Sequence, residues 1–263
     1  ALTLHGDLDV SQLDELPPGR TPINTQIISP ADKHYAYDLI RNEIINGHQV
    51  YVVLPLIEES EKLELSAAVD VHHELSTDIF PEFTVELLHG KMKSLKKQEV
   101  IQNFLNKKSD ILVSTTVIEV GIDVPNASVM LIENSDRFGL AQLHQLRGRV
   151  GRGASKSYCL LSHQNKNKLS KQRLEVLVNS NDGFEISEID LRFRGPGQVL
   201  GTKQSGLPDF ALASLADDTD VLELARKEAR NILDADPQLK SNSMLRILIK
   251  EQWDKLRIGN KLN

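Results

Sequence analysis

Ile111-Leu-Val-Ser-Thr-Thr-Val-Ile-Glu-Val-Gly-Ile-Asp-Val-Pro125 decides the fold of this chain. It opens on a short apolar run that reads as a buried strand. A turn and a short helix follow, then Gly121-Ile-Asp-Val-Pro125. Strand, turn and helix in that order are one half of a repeating α/β unit. The same alternation extends in both directions.

Upstream, Thr25–Ser29 reads as a strand, and Ser29-Pro30 starts a helix with proline at its first position. Ala36, Leu39, Ile40 and Ile44 form an apolar stripe that Gly47 ends. Gln49–Leu54 is a β-branched strand bounded by Pro55. A helix is predicted over Lys62–Phe80, stopped by Pro81, and Thr84–Leu88 is the next strand. Val100, Ile101, Phe104 and Leu105 mark the helix before the strand at Asp110–Ser114. Downstream, Val129–Glu133 is a strand, Leu140–Gly148 a helix and Ser157–Leu161 a last strand. Strands alternating with helices predict an α/β fold: a parallel sheet with helices on both faces. Ligands of such sheets bind beyond the C-terminal strand ends. His89-Gly90, Thr115 and Asp123 all follow strand ends.

The strand pattern stops near residue 166. Leu169–Asn179 and Glu185–Phe193 read as a helical hairpin turning at Asn181-Asp-Gly183. A glycine-rich loop covers Gly195–Gly206, and two helices close the chain. The first carries Val221, Ala225, Ala229 and Ile232; the second carries Leu245, Leu248, Ile249, Trp253 and Leu256. Residues 1–25, with Pro17-Pro18-Gly19 and Pro22, read as a linker. The expected division is thus 1–25 linker, 26–165 α/β domain and 166–263 a mostly helical module.

The 263 residues carry a formal net charge of −6, which disfavours strong nonspecific nucleic-acid binding by the chain as a whole. Lys91, Lys93, Lys96 and Lys97 are a local exception; they read either as a phosphate-contacting patch or as a solvated helix face. Cys159 is the one cysteine, so no disulfide framework exists, in keeping with a reducing cytoplasm. No apolar run reaches the roughly 18 to 20 residues of a membrane span. No signal peptide follows Ala1. Starting mid-pattern and without Met, the chain reads as a piece of something longer. His72-His73 and His89 lack cysteine or carboxylate partners at ligand spacing, so no metal site is expected.

Gln142-Leu-His-Gln-Leu-Arg-Gly-Arg-Val-Gly-Arg152 crowds three arginines and two glycines into six residues. Arginine carries a permanent charge on a fork that grips phosphate with two bonds. Such a run also occurs as a solvated basic loop. No Gly-x-x-x-x-Gly-Lys-Ser/Thr occurs in the chain, and its one Asp-Glu pair, Asp14-Glu15, falls in the proline-rich linker, so a complete ATPase site is absent.

Together, 111–125 and 142–152 resemble motifs five and six of the superfamily-two helicases. Arg194-Gly-Pro-Gly-Gln-Val-Leu-Gly-Thr-Lys-Gln-Ser-Gly206 resembles the translocation motif of the RecG family of bacterial branched-DNA helicases. Leu4-His-Gly-Asp-Leu-Asp-Val-Ser-Gln-Leu-Asp-Glu-Leu-Pro-Pro-Gly-Arg-Thr-Pro22 resembles the segment after motif three. The resemblance spans essentially the whole chain. It implies a second RecA-like domain, completing an ATP site whose phosphate loop and Mg²⁺ carboxylate lie on an N-terminal RecA-like domain.

By this resemblance Arg149 and Arg152 approach the γ-phosphate, and Gln145 orients phosphate or attacking water. Arg147 either joins them or makes a structural salt bridge. Asp123, with Gly121 in the same motif, meets the ribose hydroxyls; a turn or cap aspartate is the other reading. Thr115 and His89-Gly90 contact the nucleic-acid backbone, although Thr115 also reads as a strand-end cap. Arg173, Arg194 and Gln204 form the translocation coupling. The implied protein is a monomeric, cytoplasmic, nucleoid-associated ATP-dependent helicase acting on branched or duplex DNA, with a DNA wedge domain in the same polypeptide. Two other readings stay open: a transcription-repair coupling translocase, and a non-catalytic regulatory or DNA-binding module.

Overall fold

The computed structural model describes residues 22–55, 61–115, 124–153, 156–164, 167–194 and 219–259. Among these, residues up to Asp190 belong to one compact unit and those from Leu191 to a second. The first unit is built on six strands: β1 (Asn24–Ile28), β2 (Gln49–Val53), β3 (Val85–Leu88), β4 (Ile111–Ser114), β5 (Ala127–Ile132) and β6 (Tyr158–Ser162). They run in the spatial order β1-β6-β5-β2-β4-β3, and every pair is parallel. The α/β architecture expected from the alternating pattern is the one found.

The helices that begin in this unit are α1 (Lys33–Ile45), α2 (Glu61–Glu74), α3 (Ser94–Leu105), α4 (Leu140–Arg147), α5 (Lys168–Asn179) and α6 (Gly183–Arg194), the last of which continues past Asp190. A single tight turn, Pro30–Asp32, leads into α1, and Ser29 Oγ donates to Asp32 Oδ2 at 2.5 Å. Gly47 ends α1 at φ 84°, a left-handed conformation natural to glycine. The helix expected to reach Phe80 does so in two parts. α2 gives way to a wider turn over Leu75–Ile79, closed where Phe80 N donates to Leu75 O at 2.8 Å.

The pleat sorts the strands' side chains onto two faces. Val50, Val52, Ile111, Val113, Val129, Leu131 and Leu160 meet Ala36, Ile40 and Ile44 of α1 on one face, with Leu75 and Phe80. Tyr51, Val53, Leu112, Met130, Ile132, Cys159 and Leu161 face the other way. There they pack with Val100 and Phe104 of α3, Leu140, Leu143 and Leu146 of α4, Leu174 and Leu177 of α5, and Ile186 of α6. The inner strands β2, β4 and β5 are therefore continuously buried, as parallel strands covered on both sides must be, while the edge strands β1 and β3 are only partly so. The hairpin helices α5 and α6 share this second core, and the compact unit runs to Asp190, past the change of sequence pattern near 166.

In the second unit, α7 (Thr219–Ala235) and α8 (Ser243–Gly259) match the two closing helices expected. Asp236 organises the turn after α7 by accepting from Lys240 N at 2.9 Å and Ser241 N at 2.7 Å. The backbone donors of Lys240 and Ser241 hold its carboxyl below the ordinary range.

Candidate nucleotide and nucleic-acid site

Because all six strands run the same way, one rim collects every C-terminal end. Leu88 lies opposite Ser114 in the β3–β4 register, and Thr115 N donates to Leu88 O at 3.3 Å. His89-Gly90 and Thr115, separated by 26 positions in sequence, are thus neighbours. Lys97 Nζ reaches back from α3 to the Gly90 carbonyl at 2.5 Å. Burial, then the charges of Lys97 and Lys91, hold the His89 imidazole below its usual range. A neutral ring beside lysines can still donate its one N–H to a phosphate oxygen. Thr115 itself is 4% exposed, so strand termination is part of what it does here.

The middle of the rim, past β5, carries a carboxylate. Glu133 follows β5, accepting from Lys33 Nζ at 3.0 Å and from Ser162 Oγ at 2.8 Å. Desolvation opposes the charge on Lys33, yet Glu133 and the bond to it leave its pKa raised. The pair ties α1 to the ends of β5 and β6.

From Glu133 the chain turns through Asn134, at φ 48°, into α4. Leu140, Leu143 and Leu146 recur at helical spacing and point α4 into the core. Gln145 therefore lies on the exposed face. The chain leaves α4 through Gly148, and Val150 is fully buried while Arg149 is half-buried and Arg152 exposed. The buried valine between them pins the spacing of the two arginines. Arg152 Nε also donates to Gly148 O at 3.3 Å. Gly151 has φ 76°, and a Cβ there would sit 2.9 Å from Ile23 Cγ1. At Gly153 a Cβ would come 2.9 Å from the Pro125 carbonyl oxygen. The arginine loop thus lies against the end of the Gly121–Pro125 segment. Gly121 and Asp123 lie outside the described residues, as does Gln204.

Of the two readings open for Arg147, a structural role fits, but among the described residues its partners are backbone carbonyls rather than a carboxylate. Arg147 is 3% exposed, and its Nη1 donates to Leu177 O at 2.7 Å and Ser180 O at 2.8 Å, at the end of α5. Burial lowers its pKa. Arg173 on α5 donates to Phe138 O at 2.9 Å, in the loop entering α4. Arg194 is the last residue of α6; its side chain lies outside what the structure describes. Sequence reasoning passed over Gly153, and also Asp190, whose buried carboxylate stands 3.4 Å from Leu140 N. A conspicuous glycine after the arginine run was the available signal for the former; nothing local marks the latter. Among the described residues no group of three or more His, Cys, Asp or Glu could hold a metal, and no helix is long and apolar enough to cross a membrane.

This geometry matches known proteins. Residues 33–154 match the helicase conserved C-terminal domain, and residues 180–260 match the C-terminal part of domain 3 of the ATP-dependent DNA helicase RecG. The ATP-dependent DNA helicase RecG of Synechocystis is 56% identical over 262 residues, covering 100% of this chain and 32% of that protein. The Thermotoga maritima RecG is 48% identical over 232 residues, covering 88% of the chain and 30% of the relative. A solved RecG bound to a three-way DNA junction aligns with a TM-score of 0.62 at 44% identity, over 80% of this chain and 27% of that one. The chain thus spans about a third of the length of these relatives. It belongs to the RecG family, as the part that carries the helicase C-terminal domain and the C-terminal portion of RecG domain 3.

Proposed function

We propose that this chain is the second RecA-like motor domain and translocation module of an ATP-dependent helicase that remodels branched DNA, such as stalled forks and Holliday junctions, in recombination and repair. The observation that carries the reading is the Gly148–Arg152 loop, where a buried Val150 sets Arg149 and Arg152 apart at the end of a core-anchored helix. Two permanent cations held this way fit the anionic oxygens of a triphosphate. Bound ATP would supply the transferable phosphoryl group. Arg149 and Arg152 would stabilise charge developing on it, a role worth roughly 10³ to 10⁵ in rate in other nucleotidases. Gln145 would orient phosphate or water, and Asp123, with Gly121, would meet the ribose. The phosphate loop and Mg²⁺ would be held mainly by the N-terminal RecA-like domain.

His89, Gly90 and Thr115 would grip the DNA backbone, where contacts carry no sequence information and can be released at each step. The named DNA junction of the solved relative supports branched DNA as substrate. Arg173, Arg194 and Gln204 would couple cleft closure to movement on DNA. In this reading 1–25 is a linker, 26–165 the RecA-like domain and 166–263 the translocation module. The full-length protein, with its wedge domain, would act as a cytoplasmic, nucleoid-associated monomer.

The test is turnover in the full-length protein. Arg149→Ala and Arg152→Ala should each abolish DNA-stimulated ATP hydrolysis through kcat while sparing ATP binding. Near-normal rates in both variants would reject the arginine pair.

A further inference from the structure

We infer that Arg147 is a positioning residue through which the α5–α6 turn, and not the sheet alone, sets where Arg149 and Arg152 stand. The inference rests on the arginine-pair reading above for its catalytic consequence.

The guanidinium is buried and spends its fork on the hairpin. One nitrogen serves two carbonyls, Leu177 O at 2.7 Å and Ser180 O at 2.8 Å; the other faces His144 Nδ1 at 2.9 Å. These carbonyls sit at the C-terminal end of α5, where helical oxygens lack intrahelical donors and the dipole favours a cation. A charged arginine at that end is therefore compensated by the helix it caps. His144 must accept at Nδ1, which places its proton on Nε2. That second nitrogen is closed in by the hairpin: a Cβ on Gly183, the first residue of α6, would lie 2.9 Å from it. The start of α6 approaches α4 so closely that glycine alone leaves room.

The entrance to α4 is held by the same hairpin. Arg173 of α5 donates to Phe138 O at 2.9 Å, and the buried Asp190 of α6 faces Leu140 N at 3.4 Å. An eight-residue helix is thus fastened at both ends to α5 and α6. From Arg147 the path to the arginine pair is short. Arg149 N donates to Leu146 O at 3.0 Å and Val150 N to Arg147 O at 3.3 Å. A shift of the α5–α6 turn must move Arg147, and the tight turn after it carries that shift to Arg149.

Lysine at 147 would keep the charge and reach a carbonyl, but it has no planar fork to span both carbonyls and His144. In the full-length protein, Arg147→Lys should lower DNA-stimulated kcat by about 10- to 100-fold, the scale of a small misplacement of a catalytic group, with the KM for ATP changed less than about threefold. Gly183→Ala perturbs the same contact from the hairpin side with the guanidinium intact, and should move kcat in the same direction. Amide exchange in the 263-residue chain gives a readout free of catalysis: Gly148–Arg152 should exchange faster in both variants while β2 and β4 keep their protection. Folded variants with parental kcat would overturn the inference. So would faster exchange confined to residues 178–183, which would make Arg147 a helix cap and nothing more. Arg149→Ala is run alongside. If it keeps turnover, the arginine-pair reading falls, while the exchange experiment still decides whether Arg147 positions the loop.

Discussion

Replacing Gly151 by alanine should damage the arginine loop through two separable effects. The first is backbone: at φ 76° an L-residue other than glycine costs about 1–2 kcal/mol. The second is crowding, because the new Cβ would lie 2.9 Å from Ile23 Cγ1, 3.3 Å from Ile23 Cδ1 and 3.6 Å from Ser157 Cβ. The first of these contacts is too short to survive, and forced repacking of this kind costs about 1–3 kcal/mol. Together the expected destabilisation is about 2–4 kcal/mol, since the half-buried Ile23 can yield somewhat. A double-mutant cycle with Ile23→Ala separates the parts, because alanine removes both offending carbons. The coupling should recover the crowding component and leave about 1–2 kcal/mol of backbone strain. The readout is the slowest amide exchange in β2 and β5, which reports opening of the sheet unit itself. Additive effects, within about 0.5 kcal/mol, would refute the Ile23 contact. Full recovery would refute the strained backbone. The loop also carries Arg152, so turnover of the full-length Gly151→Ala protein should fall by more than the loss of folded protein explains.

The isolated chain, lacking the phosphate loop, should release no phosphate from ATP even with branched DNA present; DNA-stimulated turnover would reject its reading as one half of the site. Arg173→Met, which removes a charge-assisted bond of roughly 1.5–3 kcal/mol to Phe138 O, should raise the ATP consumed per fork converted. Arg194→Ala and Gln204→Ala should do the same, and an unchanged ratio would reduce the hairpin and its loop to connectors. Burial pushes the Cys159 thiol from 9.0 up to about 12. Between those values the unfolded chain loses this proton and the folded chain keeps it, so stability should fall by up to ~1.4 kcal/mol per pH unit. Cys159→Ala should remove that component from urea titrations at successive alkaline pH values; an identical slope would mean the thiol does not titrate in this way.

The expected and observed elements differ mainly at their ends, because local composition carries their existence while capping geometry decides the last residue. Thr25–Ser29 became Asn24–Ile28, and Val129–Glu133 became Ala127–Ile132. Ala127 and Ser128 are weak strand formers, but both are buried and Ala127 pairs with Gln49 of β2, and burial overrides propensity. Strand order was less accessible. That β3 occupies an edge beside β4, bringing His89 against Thr115, is a long-range pairing without a local trace. The arginine pair could be found from sequence because its chemistry demands particular side chains at a fixed spacing.

The anchoring of α4 follows the opposite rule. Arg147 is satisfied by the backbone oxygens of Leu177 and Ser180, and any residue has such an oxygen. Arg173 likewise ends on the carbonyl of Phe138. An acidic partner would have left a charge to search for at some offset; a carbonyl leaves none. The one side-chain clue was Gly183, which sequence reading took for the bend of a hairpin. Its φ is not positive, and it is instead the missing Cβ, 2.9 Å from His144 Nε2, that makes room for α6. Glycine here serves contact between helices rather than a turn, and that distinction exists only once the two helices are placed side by side.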